Sequence, residues 1–177
     1  NSILTEEFCS LGTTAIVPTA NVTGTTYTWT AVGSSGNVTG FSGSGSGNIS
    51  ETLTNSGTAV ETVTYTVTPV GPGTPTCPGT SVDFVVTVNP TPIITPDANQ
   101  VCLNSTVVWT GSATAGSPAW SIISGPGSVT FGADANANPV TLTGTAIGDV
   151  TIQYENDNGC VITDVLTVLP LPSVTSF

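Results

Sequence analysis

The chain has 177 residues, with no lysine, arginine or histidine set against eleven aspartates and glutamates. Globular domains are usually about 25 % charged with both signs mixed; here the charged fraction is 6 % and wholly negative. No side chain can neutralise phosphates or anionic lipid, so neither nucleic acid nor an anionic membrane is expected as a partner, nor membrane insertion of this segment, and without imidazole there is no histidine base, ligand or near-neutral switch.

The first landmarks are Glu6 and Glu7, which read as a charged, solvated strand edge that discourages sheet-to-sheet pairing, followed by Cys9-Ser10-Leu11-Gly12-Thr13. Period-two alternation then sets Tyr27, Trp29 and Ala31 inward and Thr28 and Thr30 outward, the pattern of a half-buried strand. Gly33-Ser34-Ser35-Gly36 supplies a turn. The Gly/Ser run over residues 40–47, which includes Phe41, lacks the lysine and following helix of a phosphate cradle and reads as a mobile loop. After the Asn55-Ser56-Gly57 turn, Val63, Tyr65 and Val67 face one way and the threonines of 62–68 the other. Threonine suits a solvent-facing strand position and stays hydrated without charge, which keeps so weakly charged a chain in solution. Cys77 follows in a hairpin, and a valine-rich strand runs into Pro90-Thr91-Pro92.

The second half repeats these landmarks in order: Cys102-Leu103-Asn104-Ser105-Thr106, Trp120, Tyr154, Cys160 and Pro170-Leu171-Pro172. An internal repeat of this length implies two copies of one unit. The expected fold is all-β, two tandem immunoglobulin-like antiparallel β-sandwiches over residues 1–91 and 92–172, with 173–177 beginning a third repeat or forming a terminal strand. The Pro-x-Pro links favour extended, fairly stiff backbone, so consecutive repeats are expected end to end. Asp83 to Pro90 is one residue longer than Asp164 to Pro170, which predicts a bulge in one of the two last strands.

Four cysteines allow three connectivities. Only Cys9 with Cys77 and Cys102 with Cys160 keeps each bond inside a repeat, where it would clamp one end of the sandwich and contribute roughly 4 kcal/mol on the chain-entropy model. Widely spaced single thiols without histidine make a poor metal site. Disulfides place the chain outside the cytoplasm.

The Cys-x-x-Ser/Gly-Thr openings, the Tyr-Thr-Val-Thr-Pro strand at 65–69 and the Val-Thr-Val-Asn-Pro-Thr-Pro close at 86–92 resemble the PKD-like and immunoglobulin-like repeats of very large cell-surface proteins of Bacteroidota. The resemblance spans both repeats. The second departs from it in Val-Leu-Pro-Leu-Pro and in the extra Trp109. It implies secretion through the type IX system and a non-catalytic service as stalk or adhesive module, in some cases in gliding motility. Expected partners are neighbouring repeats and, beyond them, surface glycans or other surface and secretion proteins.

Other readings attach to particular residues. Trp109, with no repeat counterpart, is either a packed residue or an exposed platform for a sugar ring; with Phe41 it is the candidate ligand contact of a carbohydrate-binding module. The loop at 40–47 and its counterpart at 131–139 are the candidate variable contact surfaces. Asp97 with Asn99, and Glu155 with Asp157, offer oxygen ligands of the kind calcium takes, although Asp157-Asn158-Gly159 is first a hairpin turn; no other cofactor is expected. Residues 173–177 pairing with another chain would instead make a filament subunit. Catalysis survives only as a two-carboxylate glycosidase, which the scattered acids do not support.

Overall fold

A computed structural model describes residues 4–112 and 118–174. Every regular element among them is a strand, and the chain divides into two compact units, Asn1–Thr91 and Pro92–Phe177.

Unit 1 holds β1 (Leu4–Cys9), β2 (Thr26–Gly33), β3 (Val38–Thr39), β4 (Ser44–Ser46), β5 (Thr54–Asn55), β6 (Glu61–Gly71), β7 (Cys77–Pro78) and β8 (Val82–Asn89). Its main sheet runs β1-β8-β6-β2-β4, with β7 paired to β6. The alternation of β6 is realised as read: Val63, Tyr65 and Val67 are buried and the threonines between them half-buried. Opposite this sheet lies a thin layer made of the β3-β5 pair and the bridges Thr13–Thr52 and Ile16–Ile49, which bring Ile16, Val38, Ile49 and Leu53 onto Trp29, Tyr65, Val86 and Val88.

Unit 2 holds β9 (Ile94–Pro96), β10 (Gln100–Cys102), β11 (Thr106–Gly111), β12 (Ala119–Ser124), β13 (Ser128–Phe131), β14 (Val140–Ala146), β15 (Gly148–Glu155) and β16 (Val161–Leu169). Two four-stranded sheets, β10-β16-β15-β12 and β13-β14-β11-β9, both contribute to one core, Trp120, Ile152, Tyr154 and Leu166 from the first and Trp109, Val107, Val140 and Leu142 from the second. Aromatic edges tie it together: Trp120 lies 4.6 Å from Tyr154 and 6.5 Å from Trp109, centroid to centroid.

The expectation of purely antiparallel sheets is corrected. The first strand of the main sheet in unit 1, β1, pairs parallel to β8, Cys9 opposite Asn89, and β10 pairs parallel to β16, Cys102 opposite Leu169. Nearly a whole unit of chain separates each pair, long enough for the crossover that parallel pairing needs.

The disulfide pairing is also corrected. Cys9 and Cys160 are the disulfide-bonded cysteines, and Cys77 and Cys102 are exposed free thiols. The register shows why neither expected pair forms. Cys9 sits at the Asn89 end of β8, whereas Cys77, opposite Gly71 on β6, lies beyond the Val82 end. Eight residues of β8 separate those ends, about 23 Å at ~3.3 Å per step. Cys102 beside Leu169 and Cys160 before Val161 stand at opposite ends of the nine-residue β16, about 26 Å apart. A disulfide spans no more than roughly 7 Å between Cα atoms.

No bulge interrupts the last strands: β6 with β8 and β15 with β16 stay in unbroken register. The irregularities fall instead at Ile122/Ser124 and Ser128/Val129. The one-residue discrepancy arose from aligning the aspartates. Aligned on Cys9 opposite Asn89 and Cys102 opposite Leu169, Asp83 corresponds to Thr163, not Asp164. An exposed acid has no packing partner to hold it at one position, so it is a poor landmark.

The 40–47 run is no free loop. Ser44–Ser46 pairs with Thr28–Thr30 as an edge strand, and a Cβ on Gly45 would stand 2.2 Å from the Trp29 ring. Glycine is there because the indole lies flat across the strand. Of the terminal segment, Ser173 and Val174 lie outside regular structure, and 175–177 lie outside the described residues.

Candidate interaction surfaces

The sequence-derived site residues land in different settings. Trp109 is fully buried, and its indole N–H donates to the Ala98 carbonyl at 2.9 Å. A sealed ring cannot stack a sugar, so the exposed-platform reading is overturned. Phe41 is half-buried against the core of unit 1, its ring above Gly33. The 131–139 segment is tied down: the Ala135 carbonyl accepts from the Trp120 amide at 3.1 Å, the Ala137 carbonyl from the Trp120 indole at 3.1 Å, and the Asn138 side chain bonds both the N–H and the C=O of Gly111 at 2.8 and 2.7 Å.

The oxygen-bearing residues weighed for calcium lie in two separate segments of unit 2. Asp97 donates its amide to Val108, and the Asn99 amide group lies 3.5 Å from Asp164. Glu155 ends β15 on the exposed side, and Asp157 follows in the turn. Among the described residues no three histidine, cysteine or acidic side chains gather into one group. The organiser of that turn is the buried Asn156, whose Oδ1 accepts from Asn158 N–H at 3.1 Å and Cys160 N–H at 2.9 Å. An Asx turn of this kind makes a hairpin without any ion.

The polar roles of several side chains were not read from the sequence. In unit 1 Glu51 receives the Ser42 amide on one oxygen at 2.8 Å and the Tyr65 hydroxyl on the other at 2.7 Å. Burial, then the bond to Glu51 and its charge, drive the Tyr65 phenol far above its ordinary range, so it is a fixed donor, not an acid. Tyr154 is likewise raised by burial and by Asp157, and its hydroxyl donates to the Ser112 carbonyl at 2.9 Å.

Glu61 opens β6 with its carboxylate facing the 34–37 turn, where it accepts from the Ser34 hydroxyl and, at 3.3 Å, from the Asn37 amide. The bonds from Ser34 and Ser35, with a smaller share from Asn37, outweigh burial and lower its pKa from 4.5. A carboxyl more acidic in the folded than the unfolded chain adds stability above the unfolded value and loses it as pH falls through the folded one. Glu61→Gln is therefore expected to melt below the parent at neutral pH, with the gap closing as the solution is acidified below 4.5. Thermal melts at both pH values check this, and a gap independent of pH would contradict it.

One concavity stands out. An apolar cleft of about 480 Å³ opens at the Val82 end of the unit 1 sheet, walled by Leu4, Ile16, Tyr27, Val67 and Phe84. Its one acid, Glu6, accepts the Ala15 amide at 3.4 Å. With no second acid on its wall, the cleft lacks the carboxylate pair that glycoside hydrolysis requires.

Strand layering and aromatic cores define an all-β, sandwich-like fold. Residues 6–92, nearly all of unit 1, match the family model described as a PKD-like domain. Nothing among curated proteins matches the chain. Among solved structures it is similar to protocadherin gamma B2 extracellular cadherin domains 3–6, at 9 % identity over 98 % of this chain and 51 % of that one, TM-score 0.41. It is also similar to the Yersinia pseudotuberculosis adhesin InvE, at 14 % identity over 94 % and 57 %, TM-score 0.35. A third is SGBP-B of the Bacteroides ovatus mixed-linkage glucan utilization locus, in complex with a mixed-linkage heptasaccharide, at 20 % identity over 94 % and 43 %, TM-score 0.30. The chain spans about half the length of the first of these. Likeness at these scores carries no argument about function.

Proposed function

We propose that this chain is a non-catalytic repeat segment of an extracellular cell-surface adhesion protein, serving as a stalk or spacer whose loops form any adhesive contact. The observation that carries the reading is the PKD-like match over residues 6–92. It is supported by an oxidised cysteine pair, which belongs to a compartment outside the reducing cytoplasm, and by strands whose outward positions are mostly threonine and serine instead of catalytic groups. Type IX secretion and a part in gliding are the finer form of the same proposal, resting on the sequence resemblance. The carbohydrate-binding alternative has lost its aromatic platform with Trp109.

Intact cells of the source organism, exposed to a membrane-impermeant antibody raised against this segment, should label without lysis, and shaving them with protease should remove the signal. Labelling that appears only after lysis would defeat the proposal.

A further inference from the structure

The four cysteines fall into two structural classes, and one of each class is oxidised. Cys9 and Cys102 form the first. Each ends the strand that runs parallel to the last strand of its unit, and each opens the same turn: Gly12 N–H returns to the Cys9 carbonyl and Ser105 N–H to the Cys102 carbonyl, both at 2.9 Å. Leu11 and Asn104, at the same turn position, share a positive φ of 74° and 64°. For a leucine that backbone is uncommon, so the coincidence marks one backbone frame shared by the two units. The following amides, of Ser10 and Leu103, bond the final strand at Asn89 and Leu169. Cys77 and Cys160 form the second class, both in the hairpin that joins the two last long strands.

Cys9 of the first class and Cys160 of the second are disulfide-bonded, while Cys102 of the first and Cys77 of the second are exposed thiols. The free pair is thus one of each class again. Members of different classes within one unit are too far apart to join, by the strand lengths above.

We propose that Cys102 and Cys77 are the two halves of a repeat-to-repeat disulfide, Cys102 of one copy of this chain bonding Cys77 of another, head to tail. The bond is heterologous, so the linked pair still presents one thiol of each class, Cys77 on the first copy and Cys102 on the second, and the linkage propagates. The chemistry is thiol–disulfide exchange. A Cys102 thiolate attacks a low-molecular-weight disulfide and releases one thiol; the Cys77 thiolate of the second copy then displaces the other. Two protein thiols are oxidised, one small disulfide is reduced to two thiols, and the two protons stay with the leaving thiols. The inference draws on the extracellular reading only for its oxidising conditions, and its test is independent of where the protein resides.

The purified chain is held in a glutathione redox buffer and run on non-reducing gels, with mass mapping of the bands after proteolysis at aspartate and glutamate, the chain having no lysine or arginine for trypsin. A ladder of multiples is expected from the parent. Cys77→Ser alone and Cys102→Ser alone should stay monomeric, and their equimolar mixture should give one dimer band carrying a 77–102 cross-linked peptide. Both side chains are exposed, so unchanged melting curves verify that the variants fold. The proposal is overturned if Cys77→Ser dimerises through paired Cys102 residues as fast as the mixture does. It is equally overturned if the parent stays monomeric, whether its two thiols remain titratable or are consumed within one chain.

Discussion

Trp109→Ala is expected to destabilise unit 2 by about 3–5 kcal/mol, the cost of removing a large buried side chain and leaving its cavity. The indole is fully buried among the facing sheets, packs edge-on to Trp120 and satisfies the Ala98 carbonyl. Denaturant unfolding followed by far-ultraviolet circular dichroism should show an early transition for unit 2 beside a parent-like one for unit 1. Trp109→Phe, which keeps most of the apolar volume, should recover much of the loss. A Trp109→Ala protein with unchanged unfolding would mean that the ring is not a core element, and would restore it as a surface platform.

The second large effect is expected at Asn55, a small polar residue that nothing in its local sequence distinguishes from a turn. It is buried, and its side-chain amide donates to the Ala59 and Val88 carbonyls, both at 2.8 Å, while its oxygen accepts from Gly57 N–H at 2.9 Å. Its own amide is held by the Ser10 hydroxyl at 2.9 Å. One residue thereby fastens the thin layer of unit 1 to the last strand and to the turn after Cys9. Asn55→Ala leaves buried groups unpaired at roughly 1–3 kcal/mol each, and a total loss of about 3 kcal/mol is expected on the same basis. Asn55→Asp should be at least as damaging at neutral pH, because it turns two donations into a carboxylate facing carbonyls. Acidification, by restoring one donor, should narrow the gap between the aspartate and alanine variants. Chemical denaturation at two pH values measures both effects; an Asn55→Ala protein as stable as the parent would show that the network contributes nothing.

These two residues also mark the reach of sequence reasoning here. Faces were legible because alternation is written locally. Val63, Tyr65 and Val67, and Val150, Ile152 and Tyr154, are buried as their spacing implies, since a strand turns each side chain over at every step. The strand registers of the two units depart from the sequence alignment at one landmark. Trp29 opposite Val67 and Trp120 opposite Tyr154 are equivalent, but Tyr65 corresponds to Ile152, so the two tyrosines sit two residues apart on the same face. Chain spacing alone cannot tell a shift of two from none, because both keep the side chain inward. The Gly/Ser run at 40–47 failed for a related reason: its fitness as a strand lies in Trp29, distant in the chain, which needs a surface without Cβ atoms.

By itself the amino-acid order determined that the protein is built of strands, which side of the alternating strands is wet, and that it carries no cationic side chain. Only the tertiary structure decided which cysteines are oxidised, that Trp109 is sealed, and that Asn55 ties its turn to Ser10 and Val88. Periodicity is a property of neighbours along the chain, whereas a covalent partner or a packed ring depends on which end of which strand a residue occupies.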